Sequence, residues 1–194
     1  MPRLLVITST TRPGRVGGAV AEWAVDQARE HGGFDIELAD LAEIALPFLD
    51  EPEHPSAGAY IHPHTRQWSA TVAGADAFLI LAAEYNRGIT APLKNALDCL
   101  YAEWGDKPVG FVSYGMSSAG LRAVEMITPV AVALGMVPLP EIVALPLRET
   151  LDDDGRLNPS ERAEAGLRRL LEDLRRYTDA LAGLRKNAAD EGTE

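Results

Sequence analysis

Residues 82–98, Ala-Ala-Glu-Tyr-Asn-Arg-Gly-Ile-Thr-Ala-Pro-Leu-Lys-Asn-Ala-Leu-Asp, carry the densest chemistry in the chain. Glu84, Tyr85, Asn86, Arg87 and Gly88 form a polar, aromatic turn directly after the apolar run at 77–81. An aromatic plate beside a side-chain amide suits a flat heteroaromatic ligand, whose ring packs while amides bond its polar edge. A solvated Asn-Arg-Gly turn would use the same residues, and both readings stand at this point. A second cluster, Ser9-Thr10-Thr11-Arg12-Pro13-Gly14-Arg15-Val16-Gly17-Gly18, puts small hydroxyls, glycines and two arginines ahead of a helix. Backbone N–H groups and the helix dipole attract an anion there and Arg closes on it, which makes a phosphate cradle. The competing reading is a helix cap with two surface arginines. Neither Gly-x-x-x-x-Gly-Lys-Ser/Thr nor Gly-x-Gly-x-x-Gly is present, so the nucleoside-triphosphate and dinucleotide fingerprints are absent. A third cluster, Ser113-Tyr114-Gly115-Met116-Ser117-Ser118-Ala119-Gly120, narrowly misses the serine-hydrolase elbow, because Ala119 stands where Gly-x-Ser-x-Gly needs glycine. No histidine follows Leu134, which argues further against a hydrolase.

Each cluster follows a segment that reads as a strand and precedes one that reads as a helix. Apolar runs place strands at 3–8, 34–41, 75–82, 107–113 and 137–145. Helical spacing places helices at 19–31, 64–73, 92–104, 118–134 and 160–184, and the polar residues 186–194 read as a tail after a single domain at 1–185. Five alternations of strand and helix imply a parallel sheet covered on both faces. The fold class is therefore α/β, a flavodoxin-like three-layer sandwich with the natural strand order 2-1-3-4-5. In that order the loops after strands one, three and four line one crevice.

Composition narrows the partners. The chain has 194 residues, a net charge of −11, 46% hydrophobic and 24% charged residues, and one cysteine. Such an acidic balance without a basic patch argues against nucleic acid. No apolar run reaches membrane-spanning length, and the start of the chain leads straight into a strand without a signal peptide. One cysteine excludes an internal disulfide and fits a reducing compartment, so a cytoplasmic location is expected. His54, His62 and His64 near Glu51 and Glu53 match no standard ligand spacing, and no metal is expected. Asp152, Asp154 and Gly155 with Glu161 approach a calcium loop, but Thr150 replaces the first carboxylate, and a turn before a capped helix accounts for them better. Cys99 reads as packing.

Taken together, the three loops resemble the NADPH-dependent FMN reductase family, flavodoxin-like flavoproteins that include quinone, chromate and azo-dye reductases. The family motif Gly-Ser-x-Arg matches Ser9 to Arg12, with Arg15-Val16-Gly17 continuing it. Its Pro-Glu-Tyr-Asn-x-Gly, followed by Leu-Lys-Asn-Ala-Leu-Asp, matches residues 83–88 and 93–98, and its Ser-x-Gly with further small residues matches 113–120. Departures are Ser9 and Thr10 for Gly-Ser, Ala83 for proline, and Met116 and Ala119 for glycines; the matching region is about 4–145. The resemblance implies FMN, with its phosphate held by Ser9, Thr10, Arg12, Arg15, Val16 and Gly17. It implies a ring and ribityl chain held by Glu84, Tyr85, Asn86, Arg87 and Gly88, with Ser113, Tyr114, Gly115 and Ser117 across from them. It further implies hydride transfer from NADPH or NADH through FMN to a small acceptor: a quinone, azo dye, metal oxyanion or free flavin. The flavin performs the chemistry, so no catalytic side chain is expected. A homodimer or homotetramer is expected too, with Tyr101 and Trp104 at a dimer face. Two alternatives remain at this point: an FMN-binding electron carrier or regulatory protein without turnover, and a nucleoside-processing transferase.

Overall fold

Period-two alternation along the strands sorts the apolar side chains into two separate cores. In the computed structural model, which describes residues 1–191 and side chains through residue 185, β1 (Arg3–Thr8) sends Leu5 and Ile7 to one face and Leu4 and Val6 to the other. β3 (Ala77–Ala83) and β4 (Pro108–Gly115) are buried along their whole length, as strands covered on both faces must be. β2 (Asp35–Asp40) and β5 (Val137–Pro146) form the edges of a five-stranded parallel sheet of order β2-β1-β3-β4-β5. α1 (Gly17–His31) and α7 (Glu161–Glu191) pack on one face, and α3 (Pro63–Ala73), α4 (Ala91–Asp98) and α5 (Leu121–Ala133) on the other. This is the flavodoxin-like sandwich and the strand order expected from the alternation of elements.

The differences lie at element ends. The helix expected over 92–104 stops at Asp98, and a separate 3-10 turn, Ala102–Trp104, follows. Trp104 causes the break. Its ring is fully buried, edge-on to Phe78 at 4.9 Å and to Trp68 at 6.0 Å between centroids, and its indole N–H donates to the Leu97 carbonyl at 3.2 Å. Burying that ring turns the chain off the helix axis. It also overturns the expectation that Trp104 lies at a dimer face; of the two aromatics, only Tyr101 is exposed. β4 reaches Gly115, so Ser113, Tyr114 and Gly115 belong to the strand and only 116–120 form the loop. α1 begins at Gly17 and not at Ala19, while α7 continues to Glu191, past Leu184. The rest of the tail read at 186–194 lies outside the described residues. Two single-turn helices were not read from the sequence: α2 (Leu41–Ile44) and α6 (Leu147–Thr150).

Candidate functional site

The carboxyl ends of β1, β3 and β4 meet at the point where the strand order reverses, the place where open parallel sheets bind ligands. Buried hydroxyls tie them together. Ser9 Oγ donates to the Leu81 carbonyl at 2.6 Å and accepts from the Ala83 N–H at 3.1 Å. Thr90 Oγ1 donates to the Ser9 carbonyl at 2.6 Å, joining the loop after β3 to the loop after β1. Ser9 is thus spent on the frame. Beside it, Thr10 Oγ1 stands 3.4 Å from the Tyr114 hydroxyl, and both are buried. Burial raises the Tyr114 phenol above its ordinary range, against the pull of the Thr10 and Ser9 hydroxyls, so it stays protonated.

These hydroxyls close around the start of α1. A Cβ on Gly17 would collide with Thr10 Oγ1 and stand 2.8 Å from Tyr114 Oη and 3.3 Å from Thr8 Cγ2. The helix has no side-chain cap and no acidic residue in its first turn, and its first amides have no acceptor within the helix. Thr8 Oγ1 is buried on this face without a partner, and Ser113 Oγ, also without one, lies on the face of β4 shared with Phe111, across the sheet. An uncapped positive helix end, a glycine whose Cβ would crowd the buried hydroxyls, and a hydroxyl without a partner fit a phosphate group.

Arg15 does not face this opening. Its guanidinium grips Asp40 with two bonds of 2.9 and 2.7 Å and donates to the Thr10 carbonyl at 3.0 Å. That hydrogen-bonded pairing, opposed by burial, raises the Arg15 pKa further. Arg12 is exposed, with only a 3.5 Å approach to the Pro13 carbonyl, and so is the arginine free for an anion.

The turn after β3 is a tight hairpin: Tyr85 and Gly88 exchange backbone bonds of 3.0 Å each way. Asn86 and Arg87 both have positive φ, +50° and +71°, the type I′ geometry that glycine fills at no cost. The turn presents Tyr85, Asn86 and Arg87 to solvent while Gly88 packs against Met126. Glu84 points the other way. Its carboxylate accepts from Ser118 Oγ, the Arg122 N–H at 3.2 Å and Arg122 Nη1 at 3.0 Å. Burial pushes its pKa up, but these donors outweigh burial and hold it below the ordinary value. Glu84 therefore clamps the loop after β3 to the loop after β4. Gly120, at φ +84°, admits this close approach, since a Cβ there would stand 2.8 Å from the Tyr114 carbonyl oxygen. Ser117 and Met116 are exposed at the tip.

The crevice thus gathers Thr10, Gly17 and Tyr114 at its base and Arg12, Tyr85, Asn86, Arg87 and Ser117 at its rim. Asp40, Thr90, Ser118 and Arg122 were missing from the sequence-derived site. Asp40 carried one signal, an acid directly ahead of a helix, where it also caps α2 by accepting from Ala42 N–H. A cavity of about 340 Å³ flanks the same loop, walled by Thr11, Leu41, Leu46, Phe48, Pro92 and Asn95 among others. Asn95 holds its wall by accepting from Leu49 N–H at 3.0 Å and donating to the Pro47 carbonyl at 2.8 Å.

The other candidates lie apart from this edge. His64 pairs with Asp50 at 2.9 Å, His62 stacks on His64, and His54 bonds Ser56 at 2.8 Å. Among the described residues no group of three or more His, Cys, Asp or Glu is arranged to hold a metal ion. Asp152 caps its own turn, accepting from Asp154 and Arg156 N–H. Cys99 is buried, and burial pushes its thiol up to about 11.

Fold and site together define a flavodoxin-like protein with a mononucleotide-type crevice. The model of the NADPH-dependent FMN reductase family matches residues 2–150, and the chain belongs to that family. It is 37% identical to an NAD(P)H-dependent FMN reductase of Schizosaccharomyces pombe over 161 residues, 82% of this chain and 80% of that protein. It is 30% identical to the NAD(P)H-dependent FMN reductase ntnL of a Nectria species, over 96% of this chain and 98% of that one. Among solved structures, the flavoenzyme NAD(P)H:(acceptor) oxidoreductase FerB of Paracoccus denitrificans superposes with a TM-score of 0.70 at 18% identity, covering 93% of this chain and 98% of its own. That likeness concerns the fold.

Proposed function

We propose that this chain is an NAD(P)H-dependent oxidoreductase with FMN as its resident cofactor, reducing a small acceptor such as a quinone, azo dye, metal oxyanion or free flavin. The observation that carries the reading is the convergence of three loops on an uncapped helix start, with Thr10, Gly17 and Tyr114 closing round it. When bound, the flavin would accept hydride from the nicotinamide and deliver reducing equivalents to the acceptor. The protein's part is placement. Thr10, Arg12 and the amides of Val16 and Gly17 would hold the phosphate. Tyr85, Asn86 and Ser117 stand at the rim to flank ring and ribityl chain. Glu84, through Arg122 and Ser118, fixes the spacing of the walls those residues stand on. No side chain in the crevice needs to move a proton.

In this reading residues 1–185 are one FMN-binding domain working in the cytoplasm. Among the described residues no helix is long and apolar enough to cross a membrane. Exposed Tyr101 and Leu49, lining a groove of about 590 Å³ between α4 and α5, support a homodimer or homotetramer. The purified protein is expected to be yellow, to release FMN on denaturation and to bleach rapidly when mixed with NADPH under argon. A colourless protein that binds no added FMN refutes the reading, and a yellow one that neither NADPH nor NADH bleaches makes it a carrier.

A further inference from the structure

We propose that Asp40 is a positioning residue of the phosphate-binding loop and that Arg15 is the staple it holds, not an anion ligand; this rests on the reading of that loop as an FMN phosphate site. Asp40 ends β2 and lies in register with Thr8, the last residue of β1. Its two carboxylate oxygens take Arg15 Nη1 at 2.9 Å and Nη2 at 2.7 Å, while the Ala42 N–H donates to Oδ1 at 3.0 Å. Arg15 Nη1 also reaches back to the Thr10 carbonyl at 3.0 Å. The side chains are only 20% and 12% exposed, so water screens the pair little. A planar guanidinium held by two parallel bonds has a fixed direction. Arg15 thereby fixes both ends of its loop: it directly precedes the α1 N-cap residue Val16, and it holds Thr10, whose hydroxyl meets Gly17 and Tyr114. Three hydrogen bonds are spent on this and none is aimed at the helix start. Arg12 is left to meet the anion.

The sign of one substitution separates this role from the alternative. A carboxylate close to a phosphate site repels the phosphate. If Asp40 were a bystander and Arg15 a phosphate ligand, Asp40→Asn would remove that repulsion, free Arg15 and tighten FMN. If Asp40 positions the loop, the same change weakens FMN although a negative charge has been removed.

The test titrates flavin-free protein with FMN and with riboflavin, which lacks the phosphate, and follows flavin fluorescence. Asp40→Asn is expected to weaken FMN at least tenfold and to change riboflavin less than twofold. Arg15→Gln and Arg15→Lys are expected to match it, because an ammonium cannot replace the fork; a true phosphate-contacting arginine would retain much of its effect as lysine. Tighter or unchanged FMN in Asp40→Asn, or near-normal FMN in Arg15→Lys, overturns the proposal. Should Asp40→Asn fail to fold, as judged by circular dichroism, the two part-exposed Arg15 variants decide, with the rise in melting temperature on adding inorganic phosphate as the second readout. A wild-type protein that binds FMN no better than riboflavin refutes the phosphate-site reading itself, and the proposal with it; a wild type that prefers FMN to riboflavin, with variants that keep that preference undiminished, refutes the proposal alone.

Discussion

Replacing Gly17 with alanine tests how tightly the start of α1 is enclosed. The added methyl would meet Thr10 Oγ1, with Tyr114 Oη at 2.8 Å and Thr8 Cγ2 at 3.3 Å. Neither neighbour yields freely: Thr10 is 2% and Tyr114 3% exposed. Overpacking of a filled site costs about 1–3 kcal/mol, while alanine returns at most about 1 kcal/mol of helix propensity. A net loss of roughly 1–2 kcal/mol lowers the melting temperature by about 2–8 °C for a chain of this size. The same methyl pushes the Thr10 and Tyr114 hydroxyls away from the helix start, so FMN affinity should fall at least tenfold and riboflavin affinity much less. Gly18 supplies the control, because a Cβ there meets nothing within 4 Å. Gly18→Ala should be neutral or slightly stabilising and bind FMN normally. Calorimetric melting and fluorescence titration of the pair read both effects. A Gly17→Ala protein as stable and as tight-binding as Gly18→Ala would show that the enclosure does not exist in solution.

Glu84→Gln removes the charge and one of the two oxygens that accept from Ser118 and Arg122, and should cost about 1–3 kcal/mol at neutral pH in urea unfolding. Because the native Glu84 pKa lies below its ordinary 4.5, its stabilisation is present above that value and is lost as pH falls through the lower native one. The variant's stability should therefore fall less steeply with acid than the wild type's. Lys107 is buried with its ammonium on the Val72 and Ala73 carbonyls, at 2.9 and 3.1 Å, and burial lowers its pKa to about 8 from 10.5. Between those values the unfolded chain holds more protons, so wild-type stability should rise with pH across that window relative to Lys107→Met. Denaturant titrations at pH 7.5, 9 and 10.5 measure the difference. Native Cys99 should resist an aromatic disulfide reagent at pH 8 and react with one equivalent once unfolded, in line with its raised pKa and burial.

The sheet, its order and the meeting of three loops were legible because they depend on periodicity, which is local. Leu4 to Ile7 and Ala77 to Ala83 allow no other strand reading. What the types of residue do not announce is their partners. Arg15 and Asp40 are 25 positions apart and Glu84 and Arg122 are 38 apart, so both pairs exist only once the sheet has formed. Each arginine or glutamate looked equally available to a ligand, and two of them are already engaged. Trp104 was misplaced for a related reason: helical spacing runs on through Leu100, but the largest side chain available finds a better place against Trp68 and Phe78 than on an exposed helix face.

The Ser9 and Thr90 hydroxyls, which tie β1 to β3 and one loop to the other, divide the crevice into two zones with different freedom to evolve. At the floor the hydroxyl and carbonyl of Ser9 are committed to the frame, so a substitution there disturbs strand ends as well as any ligand. The rim residues Arg87 and Met116 are exposed, hold up nothing beneath them and are not among those proposed to hold the cofactor. A lineage, or a protein engineer, can therefore exchange these two residues to admit another electron acceptor while the anchoring of the cofactor and the folding of the sheet go on unchanged.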